Sequence, residues 1–227
     1  MIRLHVSRVA LVVAGASCAV AVRMGGAVSN PEQEFDVATH SRPHVERGAE
    51  LFQPCGGCHG VDGRGAPDGL IPRIGGQHAA VLQKQLTDFR HHRRFDPRMQ
   101  ILSGPHYLID AQDIADVTAY ISDLEPAVPS GHGNGESLIR GAERYARSCS
   151  RCHGGAAEGD AERAIPKLAG QHYEYLRRQI HDGVEGRRPN FSPAHVRLLG
   201  LLDFDDISGL CDYLSRLGPE SAAPGAR

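Results

Sequence analysis

The sequence contains no tryptophan, and phenylalanine and tyrosine supply only six residues each. A domain of fewer than a hundred residues with so few large side chains has a thin core unless another apolar body fills it. Neither sign of charge dominates: 25 basic residues stand against 27 acidic ones. That excludes the clear basic excess with which proteins hold nucleic acid, so no nucleic-acid partner is expected. No apolar run reaches the roughly 20 residues a helix needs to span a bilayer. The longest, residues 9–22, follows Arg3 and Arg8 and leads through small residues to Ala27-Val28-Ser29. That is the pattern of a secretory leader over residues 1–29, with an uncleaved anchor helix as the competing reading. Gly15-Ala16-Ser17-Cys18 follows a lipoprotein acylation site only loosely, because Gly is wrong at its first position and apolar residues follow Cys18.

What is present is a repeat. Arg47-Gly48-Ala49-Glu50 recurs as Arg140-Gly141-Ala142-Glu143, and Cys58-His59-Gly60 as Cys152-His153-Gly154. Ile71-Pro72-Arg73-Ile74-Gly75-Gly76-Gln77-His78 recurs as Ile165-Pro166-Lys167-Leu168-Ala169-Gly170-Gln171-His172. Asp113-Ile114 with Tyr120 recurs as Asp206-Ile207 with Tyr213. The chain therefore divides into two similar modules, residues 43–125 and 136–218. A Pro/Gly/Ser-rich linker, 126–135, joins them, and a short tail, 219–227, is read as flexible.

Each module reads as helical. A helix is expected to run into each Cys-x-x-Cys-His. A second follows each Gly-Gln-His, with Val81, Leu82, Gln85, Leu86 and Phe89 at helical spacing. A third spans residues 111–124 and 205–217, with Asp110 and Asp203 near its start, where an acidic side chain is favoured. No run alternates as a strand does, so the expected fold class is all-α.

The chemistry lies in Cys55-Gly56-Gly57-Cys58-His59 and Cys149-Ser150-Arg151-Cys152-His153. Two thiols at this spacing add to the two vinyl groups of one haem, and the adjacent His then sits under the iron as its proximal ligand. A zinc site or a thioredoxin-type redox pair is the alternative for one copy. Two copies in a repeated context behind an export leader favour two covalently bound haem c groups. Two large apolar haems would also make good the missing core. Of the six cysteines, four fall in these motifs, Cys18 lies in the leader, and Cys211 lies on an apolar helix face as a buried free thiol.

On these motifs, on the Pro-x-x-(Gly/Ala)-Gly-Gln segment and on the last helix with its Tyr, the chain resembles tandem dihaem members of the class I cytochrome c superfamily. The resemblance covers nearly all of the chain beyond the leader. It implies that the first and last helices of each module cross closely, with Gly48 and Gly141 at the crossings and Tyr120 and Tyr213 as aromatic partners. It also implies that the Pro72 and Pro166 carbonyls accept a hydrogen bond from the proximal histidines.

The sixth ligand is where methionine scarcity matters. Met1 and Met24 precede the modules, so only Met99 remains for two haems. The family's usual Met cannot serve both. Phe95-Asp96-Pro97-Arg98-Met99 aligns with Phe191-Ser192-Pro193-Ala194-His195. The ligand pairs read from this alignment are His59/Met99 and His153/His195. His106 is the competing ligand for haem 1. His91 and His92, beside Arg93 and Arg94, read as a solvated basic face. His181 reads as a surface residue. His78 and His172 repeat together after Gln, and taking either as a ligand would leave Met99 and His195 unexplained.

Six-coordinate haems leave no open position for a substrate, which favours electron transfer. The expected protein is an exported, periplasmic carrier, or the carrier subunit of a complex. Its expected partners are redox proteins: a dehydrogenase, an oxidase or a membrane quinol-oxidising complex. A dihaem enzyme of the peroxidase or thiosulfate-oxidising type, with His195 displaceable, is the alternative. A ligand-sensing module would need an output domain, and none is read here. Arginine greatly outnumbers lysine. Arg64, Arg73, Arg90, Arg93, Arg94, Arg177, Arg178, Arg187 and Arg188 are candidates for haem propionates or docking, with an ordinary solvated surface as the competing reading for each.

Overall fold

The structure is a computed structural model, and it describes residues 30–126 and 130–218. The leader, the tail and residues 127–129 of the linker lie outside the described residues. Among those described, the regular structure is helical, with one isolated antiparallel bridge between Asp160 and Ile165. In module 1, α1 (Pro31–His40) precedes α2 (Val45–His59), α3 (Ala79–Arg90), α4 (Pro97–Leu102) and α5 (Ala111–Ser122). In module 2, α6 (Leu138–Ser148) continues past Cys149 as α7 (Ser150–His153). It is followed by α8 (Tyr173–Val184), α9 (Pro193–Leu199) and α10 (Phe204–Arg216). The order repeats: α6 with α7 corresponds to α2, α8 to α3, α9 to α4 and α10 to α5.

The helix crossings follow from glycine. A Cβ on Gly48 would overlap the carbonyl oxygen of Asp116, and one on Gly141 would overlap that of Gly209. In module 1 the Tyr120 Cβ also closes on Gly48, whereas in module 2 a second glycine, Gly209, takes the facing position. The aromatic partners stack one turn away, with Phe52 and Tyr120 ring centres 5.4 Å apart and Tyr145 and Tyr213 5.8 Å apart. Arg47 on α2 donates to Asp113 Oδ1 of α5 at 2.6 Å, and Arg140 Nε on α6 donates to Asp206 Oδ1 of α10 at 2.9 Å.

The helix starts are equally local. Asp110 accepts from the Gln112 and Asp113 amides, and Asp203 from that of Asp206. The short α4 and α9 start in the same way: Asp96 and Ser192 cap them, and Pro97 and Pro193 occupy the first helical position, where a missing N–H costs nothing. Each module has its own core. Phe52, Leu82, Leu108, Ile114, Val117 and Ile121 form one. Tyr145, Leu176, Ile207, Leu210, Cys211 and Leu214 form the other. Cys211 is fully buried, as the sequence pattern implies.

Helix α1 has no counterpart in module 2. It packs on α3 and α5 through Ala38 and the buried carboxylate of Glu34. Glu34 pairs with Arg90, and its Oε2 lies 2.8 Å from His91 Nε2. This corrects the reading of His91 as part of a solvated basic face: a buried carboxylate requires partners, and α3 supplies two.

Candidate haem-binding sites

His59 ends α2 and His153 ends α7, and each is followed by a glycine with positive φ, Gly60 at 79° and Gly154 at 84°, which turns the chain away. His59 is buried and His153 half-buried. The Nδ1 of His59 lies 3.0 Å from the Pro72 carbonyl oxygen, and that of His153 lies 3.0 Å from Pro166. A carbonyl can only accept, so Nδ1 carries the proton and Nε2 keeps its lone pair for a metal. Burial pushes both imidazoles below the usual histidine range, and the proline carbonyls partly oppose it. Both rings are therefore held neutral, the form that ligates.

The cysteines repeat the same arrangement. Cys55 and Cys149 are half-buried, and Cys58 and Cys152 exposed. Burial pushes the Cys55 and Cys149 thiols up to about 11. Such thiols are not the low-pKa thiolates of a redox-active pair.

Helices α4 and α9 are the equivalent short helices that precede the last helix of each module. In module 2 the ring centres of His153 and His195 lie 6.3 Å apart. Two imidazoles on opposite sides of one metal ion, each at a metal–nitrogen distance of about 2 Å, have their ring centres roughly 6 Å apart. Phe191 packs on His195 with ring centres 4.6 Å apart, and Ser192 accepts the His195 amide at 3.2 Å, fixing the first turn of α9. In module 1 Asp96 caps α4 and accepts from the Met99 amide at 3.3 Å. Met99 lies half-buried on α4. His106 is exposed, its ring edge-on to Tyr107 at 5.2 Å.

Most of the arginine candidates have protein partners. Arg90 pairs with Glu34, Arg93 with Glu32, Arg177 with Glu174, and Arg187 with Asp182 and Glu185. Arg178 stacks on Tyr175. Arg94 and Arg188 lie together: both donate to Gln85 Oε1, at 2.6 and 3.1 Å, and Arg94 also donates to Tyr175 Oη and Gln179 Oε1. Burial, with Arg94 adding to it, pushes Arg188 down to about 9, and its buried Nε has no hydrogen-bond partner. Two adjacent guanidiniums with an orphaned donor suit the anionic propionates of a haem. The donor set, the thiol pairs and the ring spacing of module 2 all fit the group that the motifs imply.

The chain is similar to known proteins. A cytochrome c family model matches residues 45–125, and the model for cytochrome c oxidase, cbb3-type, subunit III matches 136–197. The chain is 31% identical to cytochrome c4 of Pseudomonas aeruginosa over 78% of its own length and 90% of that protein's. It belongs to the cytochrome c4 family. The crystal structure of reduced recombinant cytochrome c4 from Pseudomonas stutzeri superposes with a TM-score of 0.68 at 27% identity, covering 78% of this chain and all of that one. The thiosulfate dehydrogenase electron acceptor of Stutzerimonas stutzeri is 32% identical over 72% of this chain and 79% of its own length. The chain is thus an electron-transfer cytochrome with two covalent haem c groups in tandem class I modules.

Within this cytochrome c4 fold, His78 and His172 belong to the seam between the modules. His78 Nε2 bonds the Glu158 carbonyl at 2.7 Å, and His172 Nε2 bonds the Arg64 carbonyl at 2.8 Å. Glu158 and Arg64 are equivalent positions, so the exchange is reciprocal. The joint recurrence of Gln and His after Gly was the signal for it in the sequence, but only the packing of the two modules gives it meaning.

Proposed function

We propose that this chain is a periplasmic electron carrier whose two haems differ in their sixth ligand, Met99 at haem 1 and His195 at haem 2. Cys55 and Cys58 hold the first haem with His59 as proximal ligand, and Cys149 and Cys152 hold the second with His153. The observation that carries the reading is the His153–His195 pair, whose ring spacing of 6.3 Å suits two imidazoles on one iron. In support, α4 presents Met99 where α9 presents His195, and His106 lies exposed.

Bound at these residues, each haem supplies a one-electron ferric/ferrous couple. The chain fixes each imidazole through a proline carbonyl and closes the distal side with a second strong donor. A thioether stabilises ferrous iron better than a second imidazole does, so haem 1 is the high-potential centre and haem 2 the low-potential one. Electrons enter at haem 2 and leave from haem 1. The leader-like residues 1–29 and the site of covalent haem attachment support export to the periplasm. No helix among the described residues is long and apolar enough to cross a membrane. A relative named for accepting electrons from a thiosulfate dehydrogenase supports a dehydrogenase as donor and this chain as its acceptor. A redox titration tests the reading. Two resolved one-electron waves are expected, and two coincident waves overturn the inequivalence.

A further inference from the structure

We infer that Gln77 and Gln171 each set the electron density at the proximal histidine of the opposite module. The peptide unit joining Pro72 to Arg73 has two partners. Its carbonyl accepts from His59 Nδ1 at 3.0 Å. Its N–H, on Arg73, donates to Gln171 Oε1 at 3.0 Å. The equivalent peptide joins Pro166 to Lys167. Its carbonyl accepts from His153 Nδ1 at 3.0 Å, and its N–H donates to Gln77 Oε1 at 3.0 Å. Each glutamine closes the ring with its amide. Gln171 Nε2 donates to the Arg73 carbonyl at 2.8 Å, and Gln77 Nε2 to the Lys167 carbonyl at 2.9 Å.

The physical link is the polarisation of one amide. A peptide whose N–H is hydrogen-bonded carries more negative charge on its carbonyl oxygen, and serial hydrogen bonds strengthen one another. A more strongly accepting proline carbonyl draws the Nδ1 proton and makes Nε2 a better donor to iron. Electron-rich iron favours the ferric state, so each glutamine holds the potential of the other module's haem down. The glutamine side chains are fixed in this orientation: Gln77 Oε1 also accepts the His78 amide at 3.1 Å, and Gln171 Oε1 the His172 amide at 3.0 Å. A positioning residue in one module thus reports the packing of that module to the haem of the other. Loosening the seam would raise both potentials together.

The inference rests on His59 and His153 being the proximal ligands, and on the Met99/His195 difference only for telling the haems apart. The test is the midpoint potential of each haem in the intact dihaem protein, for Gln171→Leu and Gln77→Leu. Haem 1 is followed at the ferric Met–iron near-infrared band. Gln171→Leu should raise the haem 1 midpoint and leave haem 2 in place, and Gln77→Leu should do the reverse. Gln171→Asn, too short to reach the peptide, should act as Gln171→Leu does if the latter folds poorly. In the reduced protein, the Arg73 amide proton should shift upfield in the Gln171 variants, which reports the lost bond directly. If that amide shifts while the haem 1 midpoint stays, or if each variant moves the haem of its own module, the inference is wrong. If the wild type lacks the Met–iron band, the ligand reading has failed instead. The midpoints are then assigned from the proximal-histidine proton resonances of the two modules, with the same outcomes deciding.

Discussion

At the scale of single residues, one position separates two otherwise matching sites. Module 2 has His195 where module 1 has Met99, and both follow a proline that starts a short capped helix. The alignment of Phe95-Asp96-Pro97 with Phe191-Ser192-Pro193 made the exchange of residue legible without a structure, since the two segments share a local cap. If His195 is what sets haem 2 low, His195→Met should bring its midpoint up toward that of haem 1. A redox titration in which the separation persists in this variant would assign the difference to something other than the ligand. The seam histidines were less legible. His78 and His172 were recognisable as a repeated pair, but their acceptors, Glu158 and Arg64, lie 80 and 108 residues away in sequence. A local pattern carries no information about such contacts. Nor did the run of His91, His92, Arg93 and Arg94 announce that His91 lies against a buried carboxylate contributed by α1.

At the scale of elements, the crossing of the first and last helices makes each pocket. It places the Cys-x-x-Cys-His at the end of α2 or α7 against a core built largely from α5 or α10. Glycine is required there because backbone meets backbone. Gly141→Ala places a Cβ onto the Gly209 carbonyl and forces α6 and α10 apart. It should destabilise the protein by about 3 kcal/mol, the upper end of the cost of overpacking a tight contact. Denaturant unfolding should register this loss, whereas Gly155→Ala, with open space around it, should register little. The last helix of each module was readable because periodicity, acidic caps and the repeat agreed, and its observed bounds fall within one or two residues of the expected ones. Helix α1 was not readable as part of a module. It lies outside the repeat, and its value lies in burying Glu34 against α3, a tertiary property. The short α4 and α9 have six and seven residues, too few for periodicity to reveal.

At the scale of the whole molecule, the two modules are held by reciprocal side chain-to-backbone bonds, and one of these titrates. His172 is almost fully buried. Its Nδ1 accepts from the Gly131 N–H at 3.0 Å, and its Nε2 donates to the Arg64 carbonyl. Burial pushes it below the ordinary histidine range, the Arg73 charge adds to this, and the Arg64 carbonyl and Asp68 oppose it. A second proton would convert the acceptor facing the Gly131 amide into a donor. The unfolded chain takes up that proton near pH 6.5, while the folded chain does not until lower pH. Stability from this group is therefore complete above about pH 6.5 and declines as pH falls below it. The melting temperature of the dihaem protein should be lower at about pH 5.5 than at pH 7.5. His172→Asn should flatten that difference, and an unchanged difference would assign it to other groups. The pairing of modules thus joins a pH-sensitive contact to the peptides that hold both proximal histidines.

Two haems with different sixth ligands leave separate spectroscopic signatures in one molecule. The most direct measurement is the near-infrared and paramagnetic resonance spectrum of the fully oxidised protein, quantified against its haem content. One Met–iron band for every two haems, accompanied by a low-spin bis-histidine signal of equal weight, is the result expected. A Met–iron band of twice that strength, no such band at all, or a high-spin signal from an open haem would contradict it.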